Sequence, residues 1–197
     1  MDIGNALASA PLFDVLTILF LFGMFVLGYI QGTIRRVLGL ASILFSFLLA
    51  GQIRDPLGAF LASNWTQYPR EYSYMLAYLA VFLFAAILFS IIIQSFYHHQ
   101  PLFESNRFID EVLGGTLGLL QGLLLIGIGI VILDSYFAIP GVARGNTELP
   151  FLRSLFDAYD RSGTASLFRG SLIPGTFAVI GALIPADVRR LFPIAGA

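Results

Sequence analysis

Few residues in this chain combine the types and spacing that chemistry requires. His98 and His99 are the only histidines, and neighbours on a helix point about 100° apart, which makes them a poor metal pair. Cysteine is absent, which excludes disulfides, thiolate metal sites and a cysteine nucleophile. Ser42, Ser46 and Ser90 lie in apolar runs without a histidine to activate them. We therefore expect no metal, no cofactor and no enzymatic activity.

Two glutamines, Gln31 and Gln121, are the polar candidates within the apolar runs. Gln121 must find a hydrogen-bond partner because hydrocarbon offers none. It either fixes helix packing through an interhelical hydrogen bond or lines a polar path. Residues 27–32 and 117–122 both read L-G-x-x-Q-G. This similarity is either an inverted repeat of the kind found in transporters or a chance match.

Glycines recur at a spacing of four near both glutamines. Gly114, Gly118 and Gly122 lie on one side of a predicted helix, and Gly28 and Gly32 repeat the spacing upstream. In a bilayer such faces let two helix backbones approach closely. We predict that Gly114, Gly118 and Gly122 pack against the first or the second predicted helix within the chain, and the first could do so through Gly28 and Gly32. A contact between copies in a homo-oligomer, and flexibility needed for gating, are the alternatives.

Four long runs without charge carry these residues. Only 12% of the 197 residues are charged, against roughly 25% in soluble domains. No charge lies between Asp14 and Arg35, Arg36 and Arg54, Glu71 and His98, or Glu111 and Asp134. Because a span needs roughly 20 apolar residues, we predict an all-α polytopic membrane protein. Its helices are placed at roughly 13–30, 37–53, 72–97 and 111–137.

The first run is interpreted as a retained span rather than a signal peptide, because no basic residue precedes it. A tight hairpin joins helices one and two. We predict a surface loop at 54–70, which holds Pro56 and Trp65, and a second loop at 98–110. Helix three has few small residues and is expected to face lipid over much of its length. Any working surface would then lie on helices one, two and four.

Residues 138–197 form a different unit, a proline-containing tail that we predict to lie on the membrane surface. The spacing of apolar residues at 151–159 predicts an interfacial amphipathic helix, with Arg153, Asp157 and Asp160 on the opposite face. Residues 170–186 are uncharged but are interrupted by Pro174 and Pro185. We expect this stretch to be re-entrant or interfacial rather than spanning.

The ionisable residues bound the runs rather than interrupt them. They are Asp14, Arg35, Arg36, Asp110, Glu111 and Asp134. The absence of a carboxylate at mid-membrane disfavours a proton-driven transporter. The net charge of -1 gives no reason to expect nucleic acid as a partner.

Order and spacing of these residues over the four spans resemble those of the colicin V production (CvpA) family of bacterial inner-membrane proteins. Asp14 opens the pattern, Gly28 and Gly32 follow, and two arginines, Arg35 and Arg36, open helix two. Residues 106–122, which read NRFIDEVLGGTLGLLQG and include Asp110, resemble the family's aspartate-glycine block. The resemblance covers roughly residues 13–137.

Three positions depart from the family's pattern. Gln31 and Gln121 stand where members often carry a basic residue, and Glu111 replaces an arginine. The resemblance implies a non-enzymatic membrane protein that supports toxin production or secretion and envelope homeostasis. A relative's fused extracytoplasmic protease implies that the tail lies outside and the hairpin inside, in agreement with Arg35 and Arg36.

The expected partners are the lipid bilayer, a second copy of the chain, and a secretion or envelope protein. The alternative function is a homo-oligomeric channel or transporter-like protein, in which Gln31, Gln121 and the glycine face would line a pore.

Overall fold

Four long helices form the frame of the protein. A computed structural model describes residues 11–96, 107–141, 148–180 and 183–192. The long helices are α1 (Leu12–Gln31), α2 (Thr33–Asn64), α3 (Arg70–Phe96) and α4 (Arg107–Phe137). Each is long and apolar enough to cross a membrane, and the described ranges contain no strand. This confirms an all-α polytopic membrane protein with four candidate spans.

The predicted surface loop at 54–70 is wrong for most of its length. Helix α2 continues through Pro56 and ends at Asn64. The first charge after an apolar run marks where the lipid contact ends, not where the helix ends. Here packing carries the helix further: Arg54 is buried with its guanidinium over the rings of Tyr74 and Tyr78, and Gly58 lies against Tyr74.

Helix α4 also begins earlier than predicted, at Arg107. The last four residues of the predicted 98–110 loop are therefore helical, and residues 98–106, with both histidines, lie outside the described residues. The hairpin between α1 and α2 is tighter than predicted. Gly32 alone separates the two helices, and it does so with a positive φ of 76°, which glycine adopts without steric cost.

The tail after α4 is a series of short helices: α5 (Pro150–Asp160), α6 (Gly163–Leu167), a π-helical turn (Phe168–Leu172), α7 (Ile173–Ile180) and α8 (Ala186–Leu191). The helical stretch from Gly163 to Ile180 packs along α4 and reaches the level of Leu120 and Phe47. The chain then meets α2, where Pro185 lies against Gly51.

Much of this tail belongs to the protein's core rather than to its surface. Ile173, Phe177, Ile184, Val188 and Phe192 are buried in the same cluster as side chains of α2, α3 and α4. The amphipathic helix predicted at 151–159 is present as α5. The division of the chain at residue 137 stays a prediction.

Helix α3 is only partly the lipid-facing helix that its composition predicts. In its first half Tyr72, Met75 and Tyr78 are completely buried. In its second half Phe84 and Ile87 are 69% and 59% exposed. Its first half is thus core, and only its second half presents a broad apolar face.

Candidate functional site

Helices α1 and α4 run antiparallel with their backbones in contact. Gly28 lies against Gly114, and Gly118 lies against Met24. A Cβ atom on Gly28 would overlap the carbonyl oxygen of Gly114, and one on Gly118 would overlap that of Met24. Gly122 continues the contact, because a Cβ there would meet side chains of α1. The structure therefore brings these predicted glycines together within one chain.

Asp110 fastens the hairpin to the start of α4. Its Oδ1 accepts a hydrogen bond from the backbone N–H of Thr33 at 3.3 Å, and its backbone carbonyl accepts one from the Thr33 hydroxyl at 3.0 Å. A Cβ on Gly32 would lie 2.6 Å from Asp110 Oδ2. Since Asp110 is buried, its carboxylate satisfies the N-terminus of α2 inside the protein.

A polar cleft lies just below the hairpin. We name it the arginine cleft, because Arg35 and Arg36 line it together with Gln31 and Gln121. Arg36 Nη1 donates a hydrogen bond to Gln121 Oε1 at 2.7 Å. Gly39 leaves room for this amide, since a Cβ there would lie 3.0 Å from Gln121 Nε2. Both glutamines and both arginines singled out from the sequence thus meet in one place.

The charged side chains that line the arginine cleft are both positive. Arg36 is only 5% exposed, and its Nε has no hydrogen-bond partner among the described residues. Among the described residues, the lining of the cleft includes two arginines and no aspartate or glutamate. Gln121 is neutral, so it satisfies hydrogen-bonding capacity without balancing charge.

A second polar cluster, the Asp134 cluster, joins the end of α4 to the tail. Arg169 holds both carboxylate oxygens of Asp134 through Nε and Nη2, each at 2.7 Å. The Tyr159 hydroxyl donates to Asp134 Oδ1 at 2.6 Å, and Arg169 Nη1 donates to Asp160 Oδ1 at 2.7 Å. The Asp134 side chain is 1% exposed, so this is a buried bidentate ion pair.

The titration of the tail groups in this cluster reflects that geometry. Burial, followed by the charge of Asp134 and the hydrogen bond to it, raises the pKa of the Tyr159 hydroxyl well above its ordinary value. The hydrogen bond to Asp134 is the main cause that raises the pKa of Arg169. Tyr159 therefore stays neutral and Arg169 stays charged throughout the physiological range.

Asp14 ties the start of α1 to the same part of the tail. Its carboxylate accepts hydrogen bonds from the backbone N–H of Gly163 at 3.0 Å and of Thr164 at 2.9 Å. The Thr164 hydroxyl donates to it at 2.6 Å. An acidic group is favoured at a helix N-terminus, and here it comes from a helix about 150 residues away in sequence.

A third tail contact lies around Glu148. The Tyr136 hydroxyl donates to Glu148 Oε1 at 2.6 Å, and the Tyr72 hydroxyl accepts from the backbone N–H of Leu149 at 2.9 Å. The carboxylate lies 3.6 Å from Arg153. Asp14, Asp134 and Glu148 thus each join the four-helix frame to the tail.

Sequence reasoning missed the residues on the tail side of these contacts. Arg169 carried a signal that could have been used: it is the only charged residue between Arg161 and Asp187, and a lone charge in an apolar stretch needs a partner. Tyr159 and Glu148 carried no comparable signal. Within the described ranges, no group of three or more aspartate, glutamate, histidine or cysteine side chains could hold a metal ion.

One comparison with known proteins finds a family for this chain. The family model described as Colicin V production protein matches residues 13–159, about three quarters of the 197-residue chain. The match extends beyond the four spans to include α5. No curated protein matches the chain, and no solved structure matches it. The chain belongs to the colicin V production protein family.

Proposed function

We propose that this protein is a non-enzymatic scaffold of the bacterial inner membrane that supports toxin production or secretion and envelope homeostasis. The observation that carries the proposal is the closed packing of the glycine face. Gly28, Gly114 and Gly118 leave no space between α1 and α4, which suits a rigid frame. The family's description, colicin V production protein, supplies the process that such a frame would serve.

The engagement of three aspartates supports a structural role. Asp110 binds the start of α2, Asp14 binds the start of α6, and Asp134 binds Arg169 and Tyr159. Each carboxylate is occupied by hydrogen bonds that join two parts of the chain. A general base needs an accessible lone pair aimed at a substrate, and these carboxylates are committed to other contacts.

We place the hairpin on the cytoplasmic side and the tail outside. Asp110 contacts Thr33, so the hairpin and the start of α4 share one end of the bundle. Arg35, Arg36 and Arg107 belong to that end, and basic residues in short connections favour the cytoplasm. The cysteine-free chain permits a direct test with Arg107→Cys and Ser154→Cys. An impermeant thiol reagent added to intact cells should label only Ser154→Cys; labelling of Arg107→Cys instead would reverse the orientation.

The functional test uses a bacterium that secretes colicin V and lacks its own family member. Wild-type protein should restore toxin release, measured as killing of a sensitive strain, and resistance to detergent. Gly118→Ala should restore less of both, because its Cβ would overlap the Met24 carbonyl. Gly129→Ala on the same helix is the matched control, since nothing lies within 4 Å of its Cβ position. Full toxin release and detergent resistance without any copy of the protein would refute the proposal.

The arginine cleft favours a second candidate function, a homo-oligomeric channel or transporter-like protein. Gln31, Gln121 and Arg36 line a single cleft, and polar side chains facing a cavity within a membrane protein are a feature of solute pathways. Purified protein in liposomes should then conduct ions under voltage or membrane tension. If the liposomes show no conductance at any voltage or membrane tension tested, this candidate is rejected and the scaffold function remains.

A further inference from the structure

The arginine cleft has the size and the shape of a ligand site. Its volume is about 640 Å³, within the range of roughly 300–1,000 Å³ that small-molecule sites occupy. Helices α1 and α3 contribute mostly apolar side chains to its lining, and α2 and α4 contribute Arg35, Arg36 and Gln121. The cleft is thus bounded by all four long helices.

The polar part of the cleft is built for an anion. Arg36 is 95% buried, being 5% exposed, and its Nε has no hydrogen-bond partner among the described residues. Arg35 lines the same cleft, and none of the described residues in its lining is an aspartate or a glutamate. A buried guanidinium without a countercharge is unfavourable, and a phosphate would meet it with charge-assisted, bidentate hydrogen bonds.

The apolar part of the cleft faces the hydrocarbon. Leu27 on α1 is 48% exposed, and Ile87 and Ile91 on α3 are 59% and 56% exposed. All three line the cleft. In a membrane-spanning chain, exposed side chains of this kind contact lipid tails. One cavity therefore contains both two arginines and exposed apolar side chains that suit acyl chains.

We propose that the arginine cleft binds an anionic phospholipid, with the headgroup phosphate on Arg35 and Arg36 and the acyl chains along α1 and α3. Basic pockets between spanning helices are known to hold anionic headgroups. A zwitterionic lipid fits less well, because its own cation would face two arginines and, among the lining residues that the structure describes, no carboxylate. A free phosphate would satisfy the arginines but not the apolar walls. This proposal is independent of the proposed function.

The test is native mass spectrometry of the purified full chain in a nonionic detergent. The protein is titrated with phosphatidylglycerol, and in parallel with phosphatidylcholine or with inorganic phosphate. We expect retention of phosphatidylglycerol. Arg36→Gln should weaken that retention about ten- to a hundredfold, the loss expected for a hydrogen bond to a charged group.

Two further variants make the result decisive. Ala86→Trp fills the cleft from α3 and leaves both arginines in place, so it should also abolish retention. Arg70→Gln removes an exposed arginine at the other end of α3 and should retain the lipid as the wild type does. Equal retention of phosphatidylcholine, displacement by millimolar phosphate, or an equal loss in Arg70→Gln would each overturn the proposal.

Discussion

The two halves of α4 pack in opposite ways. In the first half Gly114 and Gly118 contact the backbone of α1, and Gly122 contacts side chains of α1. The second half is a continuous buried run of large side chains from Ile130 to Phe137, with Asp134 in its centre. There the contact is between side chains, and a charged group is part of it.

The glycine half of α4 thus belongs to the four-helix frame, whereas the Asp134 half attaches the tail to that frame. Where Gly114 and Gly118 contact the backbone of α1, no side chain could rotate to accept added volume, so a substituent there must move a helix. The Asp134 half depends on hydrogen bonds and one ion pair, which a single substitution can remove. We therefore expect the tail to be released under milder conditions than those that separate α1 from α4.

The largest effect is expected when the Asp134 cluster loses its cation. Arg169→Met leaves a carboxylate that is 1% exposed with the Tyr159 hydroxyl as its remaining hydrogen-bond donor on the tail side. Removal of one partner of a buried ion pair costs about 3–5 kcal/mol. Denaturant titration of the purified protein in micelles measures this loss as a shift of the unfolding midpoint.

Two further variants show whether the loss comes from the stranded charge. Arg161→Met removes an exposed arginine in the same tail and should cost little. The double variant Asp134→Leu with Arg169→Met removes both charges and should be more stable than Arg169→Met alone. If Arg161→Met were as damaging as Arg169→Met, the Asp134 cluster would not be what holds the tail.

The next effect concerns the glycine half. Gly118→Ala adds one methyl group where the Met24 carbonyl already lies. Forced overpacking costs about 1–3 kcal/mol, and the same titration would detect it. Gly129→Ala, which has open space at its Cβ position, should be neutral or slightly stabilising, because alanine is the better helix former. Equal losses in the two variants would mean that close contact is not what the glycines provide.

The sequence was sufficient to predict the packing contacts of the glycine half of α4 but not those of the Asp134 half. Glycines four apart define a face from local periodicity alone, and a second set on α1 offered a partner. The four spans followed in the same way from runs without charge. Each of these signals lies within one helix, so none depends on how the chain folds back.

The tail contacts were harder to predict because, unlike the two glycine faces, their partners share no sequence pattern that pairs them. Asp134 and Arg169 are 35 residues apart, and Asp14 and Thr164 are 150 apart. Asp14 and Asp110 lie in the first turns of their helices, where the helix dipole alone is a sufficient local reason for an acidic residue. The extension of α2 past Pro56 was missed because its cause is packing against Tyr74 on another helix.

A smaller loss of stability is expected at Asp14, which attaches α1 to the tail by capping the N-terminus of α6. Asp14→Ala leaves the N–H groups of Gly163 and Thr164 without this acceptor, which costs about 0.5–2 kcal/mol. Asp14→Asn keeps one acceptor oxygen and should lose less. Asp157→Ala removes an exposed carboxylate from α5 and should leave the unfolding midpoint unchanged. A midpoint shift for Asp157→Ala equal to that for Asp14→Ala would argue against the cap.

The smallest effect is a dependence of tail attachment on pH. The pKa of Tyr159 in the folded protein is raised above its ordinary value of 10.0 by burial and by Asp134. A group with a raised folded pKa stabilises fully below its unfolded pKa and loses that stability as pH rises. The pKa of Arg169 is also raised, but from 12.5, so it does not act in this window.

We therefore expect the wild type to lose stability between pH 9 and pH 11. Tyr159→Phe should lose about 1 kcal/mol less over that interval, because each pH unit over which only the unfolded tyrosine ionises costs about 1.4 kcal/mol. Denaturant titrations at both pH values give the loss of stability of each protein. The other tyrosines contribute equally to both proteins, so their contribution cancels when the two losses are compared. Tyr159→Phe also lacks the hydrogen bond to Asp134, so it should start from a lower stability at pH 9. Parallel losses in the two proteins would show that Tyr159 does not hold its proton against Asp134, and the tail would then be attached by Arg169 and Asp14 without it.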